Sequence, residues 1–287
     1  MKKRIVLAAL AILLLALAGG LYTLRRHGAG EEGGASLVTL PQGLAGAAVY
    51  ECRDGICKVT LETGEVVLLA ARGRYPRWSP DGEHVAFLRD SGVMRMRADG
   101  SEVELLTRAE SPGALNYHPG GREILFTDGR EVKSFSLDGG EVKSLLRGRR
   151  FMEIDISPSG DRLIATVKEA GFRIFAFDLS EGTERSLATG CSASLSPDGN
   201  LFTRLDRSHT RLDLRTWSAG TVRGVIESPR GLKFDNQFWS NHPDWVVSRS
   251  EGDEEDIYAH QVSTGRAVRI TSSGGADRPD LYLHGVP

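Results

Sequence analysis

The sequence lacks the motifs by which most enzymes are recognised. Its 287 residues contain no Gly-x-Ser-x-Gly elbow, no His-Glu-x-x-His and no Gly-x-x-x-x-Gly-Lys phosphate loop. These absences argue against the commonest hydrolase, metalloprotease and nucleotide-hydrolase classes. The acidic run Asp253-Glu254-Glu255-Asp256 lacks the glycine and terminal glutamate of a calcium loop and is typical of a solvated loop. We therefore predict a protein that is not an enzyme and has no cofactor and no metal site.

Cysteine is scarce, with three in the chain. If Asp54-Gly55 forms a two-residue hairpin turn, Cys52 and Cys57 face each other across it with Cα atoms about 4.5 Å apart. That distance is within disulfide range, so a Cys52–Cys57 bridge is predicted, the alternative being two reduced cysteines. No second Cys or His pair stands near them, as a zinc site would require. Cys191 is left over and is predicted to be buried apolar filler.

Residues 1–26 have the pattern of a targeting segment rather than of a folded domain. Three basic residues at 2–4 precede an uncharged, mostly apolar run at 5–24, which is long enough to span a bilayer as a signal anchor. The small-residue site Ala16-Leu17-Ala18 leaves a cleaved signal peptide as the alternative. Both predict export to the periplasmic or extracellular face, with contact to the membrane through this segment if it is not cleaved. No Cys follows the run, so lipoprotein attachment is not supported.

Positive charge is scarce beyond that segment. Five of the 36 basic residues lie in residues 1–26, which leaves 31 against 38 acidic residues and a net charge of −7. Phosphate backbones repel such a domain, so no nucleic-acid partner is expected. Residues 27–45 are glycine-rich and predict a flexible linker. Their match to the dinucleotide fingerprint at Gly28–Gly33 is set aside, because no strand precedes it and no helix follows it.

One five-residue stretch, Trp78-Ser79-Pro80-Asp81-Gly82, returns along the chain. Its turn prolines at 80, 119, 158 and 197 lie 39 residues apart, and the next step, to Pro243, is 46. Proline, Asp or Ser, and Gly in this order favour a tight turn between strands. The copies are Tyr117-His118-Pro119-Gly120-Gly121, Ile156-Ser157-Pro158-Ser159-Gly160, Leu195-Ser196-Pro197-Asp198-Gly199 and Asn241-His242-Pro243-Asp244. A period near 40 indicates a repeat architecture.

Each period contains a second, glycine-centred turn and enough alternating segments for four strands, the content of one propeller blade. We therefore predict an all-β fold for residues 46–287, a six-bladed β-propeller. The first blade lacks an innermost strand before residue 47. Asp277-Arg278-Pro279-Asp280-Leu281 echoes Arg74-Tyr75-Pro76-Arg77-Trp78, so the C-terminal strand is expected to complete the first blade and close the ring.

The stretch from Pro76 to Phe87, followed by Asp99-Gly100 and Leu105-Leu106-Thr107, resembles the TolB-type (WD40-like) propeller repeat. The resemblance covers residues 47–283. It implies a six-bladed propeller but no single function, because such repeats occur in non-catalytic envelope proteins and as side domains of peptidases. The α/β domain that precedes the propeller in the protein naming the family has no counterpart here, so that protein's partners do not transfer.

Two groups of candidate binding residues follow from the repeat. One is a polar position of the innermost strands, predicted to line a central channel: Arg77, Asn116, Asp155, Ser194 and Asp280. The other is the irregular sixth blade, predicted as a recognition surface: Asp235, Asn236, Trp239, Asn241, His242 and Trp245. Ordinary polar alternation and a variant turn are the alternatives.

We expect a protein–protein interaction scaffold of a bacterial cell envelope. A carbohydrate-binding protein or a hydrolase using the channel mouth is the alternative function.

Overall fold

The computed structural model describes residues 44–229 and 231–286, which form strands and turns and no helix. No described segment is therefore a helix able to cross a membrane. The predicted targeting segment at 1–26 and most of the predicted linker lie outside these residues. The strands are β1 (Gly46–Cys52), β2 (Gly55–Thr60), β3 (Val66–Ala71), β4 (Arg74–Trp78), β5 (His84–Arg89), β6 (Gly92–Arg97), β7 (Glu104–Arg108), β8 (Pro112–Tyr117), β9 (Glu123–Asp128), β10 (Glu131–Ser136), β11 (Val142–Arg147), β12 (Phe151–Ile156), β13 (Arg162–Lys168), β14 (Phe172–Asp178), β15 (Thr183–Thr189), β16 (Leu201–Leu205), β17 (Arg211–Thr216), β18 (Val222–Glu227), β19 (Lys233–Trp239), β20 (Trp245–Glu251), β21 (Ile257–Gln261), β22 (Ala267–Arg269) and β23 (Asp277–Leu283).

The described strands form six antiparallel sheets, which we call blades 1 to 6 in chain order. Blade 1 has the order β23-β1-β2-β3, and blades 2, 3 and 4 are the consecutive sets β4–β7, β8–β11 and β12–β15. Blade 5 is β16–β18 and blade 6 is β19–β22. The predicted six-bladed propeller is confirmed for this part of the chain.

The last strand closes the ring, as the sequence predicted. Strand β23 pairs with β1, with Gly46 opposite Leu283 and Val49 opposite Asp280. Asn241 of blade 6 also holds this strand, because its Nδ2 donates to the Leu283 carbonyl at 2.9 Å and its Oδ1 accepts from the Leu283 N–H at 2.8 Å. Blades 1 and 6 are thereby joined through one strand.

The repeated turn needs its glycine for two reasons. Gly82 has a φ of 73°, a conformation that side chains resist. A Cβ on it would also lie 2.5 Å from the Tyr282 ring of blade 1. Ser79 and Asp81 close the turn, since the Ser79 carbonyl accepts from the Gly82 N–H at 2.9 Å and the Asp81 carboxylate accepts from the Glu83 N–H at 3.0 Å. The turn is thus both a hairpin connection and a contact between blades.

Blade 5 departs from the predicted four strands. Its innermost segment, residues 191–195, forms two isolated bridges with β16 in place of a continuous strand pairing, Cys191 with Leu205 and Leu195 with Phe202. Ser192 has a left-handed φ of 54°, and the Ser194 N–H donates to the Thr203 hydroxyl at 3.1 Å. The Thr203 hydroxyl therefore accepts a hydrogen bond that a backbone carbonyl would accept between two regular strands. The prediction of four regular strands is wrong for this blade.

The apolar core lies between neighbouring blades. One cluster joins Leu88 of blade 2, Phe126 of blade 3 and Phe177 of blade 4, all at most 3% exposed. Burying a side chain of this size contributes about 2 kcal/mol before conformational entropy is subtracted. Packing of sheet on sheet therefore holds each blade to the next around the ring.

The predicted disulfide is present, but its hairpin has a different register. Cys52 and Cys57 are bonded, with Cα atoms 5.8 Å apart. Cys52 lies opposite Gly55 and Cys57 opposite Tyr50, so the two cysteines are diagonal neighbours and the turn is Arg53-Asp54. Gly55 belongs to the strand, where it pairs with Cys52 and Ala71, and the position requires glycine because a Cβ there would lie 2.0 Å from the Ala70 carbonyl oxygen of β3.

Candidate functional site

The repeated turns surround a funnel at one mouth of the central channel. The cavity holds about 260 Å³. Its wall carries one turn proline from each of blades 2 to 5 and aromatic side chains from four blades: Pro80, Pro119, Pro158, Pro197, Trp78, Tyr117, Phe238, Trp239 and Tyr282. A concave site with an apolar wall and a few polar groups is typical of a binding place.

Polar side chains from the predicted ring form the floor of this funnel. Asn116, Asp155 and Asp280 line it, and each is at most 9% exposed. Ser194 is fully buried beside them, whereas Arg77 lies against a smaller neighbouring cavity of about 10 Å³. Four of the five residues therefore lie on the innermost strands of blades 1 to 4, and Ser194 lies on the innermost segment of blade 5. Their binding role stays a prediction.

The ring residues bind one another across the blade boundaries. The Asp155 carboxylate accepts hydrogen bonds from Asn116 Nδ2 at 2.6 Å, from Ser194 Oγ at 2.7 Å and from the Leu195 N–H at 2.7 Å. The bonds to Asn116 and to Ser194 and Leu195 connect blade 4 to blades 3 and 5. Because buried charge-assisted hydrogen bonds are stronger than neutral ones, Asp155 holds three blades in register.

The same backbone contact recurs at two other boundaries. Asp280 Oδ2 accepts from the Trp78 N–H at 2.7 Å, and Ser194 Oγ accepts from the Trp239 N–H at 2.9 Å. In each case the ring residue of one blade accepts the N–H that follows the ring position of the next blade. This pattern makes Phe238 the ring residue of blade 6, which the sequence analysis missed. Phe238-Trp239-Ser240 has the same order as Arg77-Trp78-Ser79, and that similarity was the available signal.

Arg77 and Phe238 contact each other beside the funnel and line a smaller neighbouring cavity. The Arg77 guanidinium carbon lies 4.1 Å from the centre of the Phe238 ring and 4.7 Å from that of Tyr75, in cation–π distance of both. Arg77 Nη1 donates to the Pro76 carbonyl at 2.7 Å. The adjoining space of about 10 Å³ is at the lower limit for one water molecule. This neighbouring cavity therefore has no room for a ligand larger than water.

The floor carboxylates hold protons more tightly than ordinary aspartates. Burial raises the pKa of Asp155 from 3.8 to about 6, although the hydrogen bonds from Leu195, Ser194 and Ile156 and the charge of Arg77 oppose the rise. Burial also raises the pKa of Asp280, again opposed by Arg77. Desolvation disfavours the charged form in both cases. The charge of the floor therefore depends on pH in the mildly acidic range.

The irregular segment of blade 6 is mostly occupied by contacts within the propeller. Trp239 and Trp245 are 4% and 3% exposed. Asn236 Nδ2 donates to the Asp277 carboxylate at 2.6 Å, and His242 Nδ1 accepts from the Asp244 N–H at 3.0 Å. Asn241 holds the closing strand β23. Asp235 Oδ2 lies 3.6 Å from Arg249 Nη2. Of the two tryptophans only Trp239 also borders the funnel. A recognition role for this segment stays a prediction.

The six blades define a fold class, the six-bladed β-propeller, and this fold resembles that of TolB proteins. No protein-family model and no curated protein sequence matches the chain.

Solved structures do resemble it. TolB of Acinetobacter baumannii matches with a TM-score of 0.70 and 17% identity, over 82% of this chain and 66% of that one. The chain therefore spans slightly less than two thirds of that protein. A TolB-type protein of Agrobacterium tumefaciens matches with a TM-score of 0.65 and 14% identity, over 85% of this chain and 99% of that one. A chain of a nidogen/laminin complex matches with a TM-score of 0.67 and 12% identity, over 83% of this chain and 97% of that one. At these identities the likeness establishes the fold.

Proposed function

We propose that the propeller is a non-catalytic scaffold that binds a protein partner in a bacterial cell envelope. The observation that carries the proposal is the funnel, whose wall combines four turn prolines with aromatic side chains. Apolar, aromatic surface near the centre of a concave patch is what protein interfaces use for their strongest contacts. A loop or an extended segment of a partner fits such a mouth better than a globular face does.

The chemistry of the floor favours binding over catalysis. Both Asp155 oxygens and Asp280 Oδ2 accept hydrogen bonds from neighbouring blades, so these carboxylates position strands. An acid–base pair in a glycoside hydrolase needs two carboxyl groups free to face a substrate. The alternative of a hydrolase at the channel mouth therefore has less support than a scaffold.

Export is part of the proposal. The Cys52–Cys57 disulfide is typical of proteins in oxidising compartments. The basic and apolar pattern of residues 1–26 supplies a route there as an anchor or a cleaved signal. One of the similar solved propellers comes from a complex of two proteins, nidogen and laminin. A role in protein–protein contact is consistent with that architecture.

The test is capture of partners from an envelope extract with the full-length chain. Pro80→Asp with Pro158→Asp places two charges on the exposed funnel rim, and Leu68→Asp places one on the outer strand β3, where Leu68 is 53% exposed. We expect the rim variant to lose at least ten-fold of the specifically captured protein and the Leu68 variant to retain it. Equal capture by all three folded proteins, or no specific capture by the unchanged chain, would exclude the funnel as the binding place.

A further inference from the structure

A cysteine, a histidine and an aspartate converge at the boundary of blades 5 and 6, outside the funnel. One ligand atom each of Cys191, His209 and Asp235 lies within 4.8 Å of the other two. Cys191 Sγ is 3.6 Å from His209 Nε2. These residues come from three separate elements, the innermost segment of blade 5, the turn between β16 and β17, and strand β19. Sequence patterns therefore could not bring them together.

The backbone fixes this arrangement. His209 has a left-handed φ of 59°, and its carbonyl accepts from the Phe234 N–H at 2.8 Å. The turn that carries the imidazole is thus bonded to the residue next to Asp235. Cys191 is held by its bridge to Leu205, the last residue of β16. The three side chains are positioned by main-chain contacts and not by one flexible loop.

A fourth residue orients the imidazole. His209 Nδ1 lies 2.6 Å from Glu251 Oε1, so Nδ1 carries the proton that the carboxylate accepts. Nε2 then has its lone pair directed toward Cys191. Histidine ligands of metals have this arrangement, with the second ring nitrogen donating to a carboxylate that fixes the tautomer.

The distance between the cysteine sulfur and the histidine nitrogen fits a tetrahedral ion. With Zn–S of about 2.3 Å and Zn–N of about 2.0 Å, tetrahedral geometry places sulfur and nitrogen about 3.5 Å apart, close to the observed 3.6 Å. A cavity of about 540 Å³ opens beside Cys191 and His209, which leaves room for a water molecule as fourth ligand. Among the described residues, Asp235 pairs with Arg249, whose guanidinium also pairs with Glu255 at 2.6 Å and Asp277 at 3.2 Å. Three carboxylates therefore share one guanidinium beside the cluster.

We propose that Cys191, His209 and Asp235 bind one divalent transition-metal ion of the zinc type, with water from the adjoining cavity as fourth ligand and Glu251 orienting the histidine. On binding, the Cys191 thiol releases its proton to solvent and the ion takes its place. A thiolate, an imidazole and a carboxylate together suit zinc or cobalt rather than calcium or magnesium. The site is separate from the funnel, so the proposal is independent of the proposed function. It replaces the sequence-based prediction of no metal and of Cys191 as filler.

A reactive thiol is the competing interpretation, because Cys191, His209 and Glu251 also have the order of nucleophile, base and orienting carboxylate. The surroundings argue against it. An Asp235 carboxylate oxygen lies within 4.8 Å of the Cys191 sulfur, and negative neighbours disfavour a free thiolate. A bound cation reverses that effect.

The test is cobalt titration of the tag-free full-length chain after dialysis against EDTA. Cobalt binding should produce a thiolate-to-cobalt absorption band that saturates at one equivalent of cobalt and disappears when zinc displaces the cobalt. Zinc should also raise the melting temperature of the unchanged protein. We expect Cys191→Ser to abolish the band, and Glu251→Gln to weaken cobalt binding 10- to 100-fold. His84→Ala is the matched control, since Asp81, Glu83 and His84 form the other acidic-histidine group of the described residues and are more exposed.

Each outcome decides the proposal. Loss of the band in Cys191→Ser and its retention in His84→Ala would support it. The absence of a band in the unchanged chain, or equal zinc-dependent melting shifts in all variants, would overturn it. Rapid alkylation of Cys191 by iodoacetamide that zinc does not slow would overturn it in favour of the reactive thiol. The melting shift of the unchanged protein keeps the test valid if a variant fails to fold.

Discussion

Replacement of Asp155 by Asn should change how the stability of the propeller depends on pH. Asp155 is 6% exposed and joins blades 3, 4 and 5 through its hydrogen bonds. Burial raises its pKa from 3.8 to about 6 in the folded protein. The unfolded chain has no such burial, so its Asp155 titrates near the ordinary value.

The direction of the effect follows from proton binding. Between pH 4 and 6 the folded state binds more protons at this position than the unfolded state does, so the free energy of unfolding falls as the pH rises. The contribution is complete below about pH 4 and is lost as the pH passes through 6. A rise of about two pKa units at 1.36 kcal/mol each makes the change about 3 kcal/mol.

The assay is urea unfolding of the unchanged protein and of Asp155→Asn at each pH from 4 to 8. All titratable groups except Asp155 are present in both proteins. The difference between their unfolding free energies therefore reports the titration of Asp155 alone. We expect the advantage of the unchanged protein to shrink by about 3 kcal/mol from pH 4 to pH 7, on top of a constant loss from the altered hydrogen bonds.

Asp161→Asn serves as control. This exposed turn residue has its pKa lowered by the Ser159 hydroxyl, then by Ser157 and Arg162. Its difference curve should be small and slope the opposite way. A pH-independent difference for Asp155→Asn would refute the argument that burial governs this carboxylate.

Two further changes test the closure and the disulfide. Leu281 in the closing strand is 2% exposed, so Leu281→Ala should lower the free energy of unfolding by about 3 kcal/mol. Leu68→Ala on the exposed outer strand is the control and should change it by less than about 0.5 kcal/mol. Equal urea midpoints for the two variants would contradict the role of β23. The double variant Cys52→Ser/Cys57→Ser should lower the free energy of unfolding by about 2 kcal/mol, because the bridge joins cysteines five residues apart and closes a short loop. A reductant should lower the melting temperature of the unchanged protein but not that of the double variant.

The periodic part of the fold was accessible from the sequence because the signal repeats. Turns such as Ser79-Pro80-Asp81-Gly82 combine a fixed φ, a backbone-binding side chain and a residue tolerant of positive φ, and their spacing gave the number of blades. The echo of Arg74–Trp78 in Asp277–Leu281 likewise gave the ring closure.

Local exceptions were not accessible from the sequence. The hairpin register at Cys52 depends on the fit of Gly55 against β3, and the broken strand of blade 5 depends on the hydrogen bond from Ser194 to Thr203. Both are tertiary contacts without a local sequence signal. The cluster of Cys191, His209 and Asp235 is still less visible, because each residue comes from a different element.

The pairing of β23 with β1 imposes an order of events on biosynthesis. The edge of β1 that pairs with β23 stays unpaired until residues 277–283 have been synthesised. During that interval the edge of β1 is open to wrong partners, including a second nascent copy. A chain that stalls before residue 277 therefore lacks the strand that closes the ring and keeps this edge of β1 open to other strands.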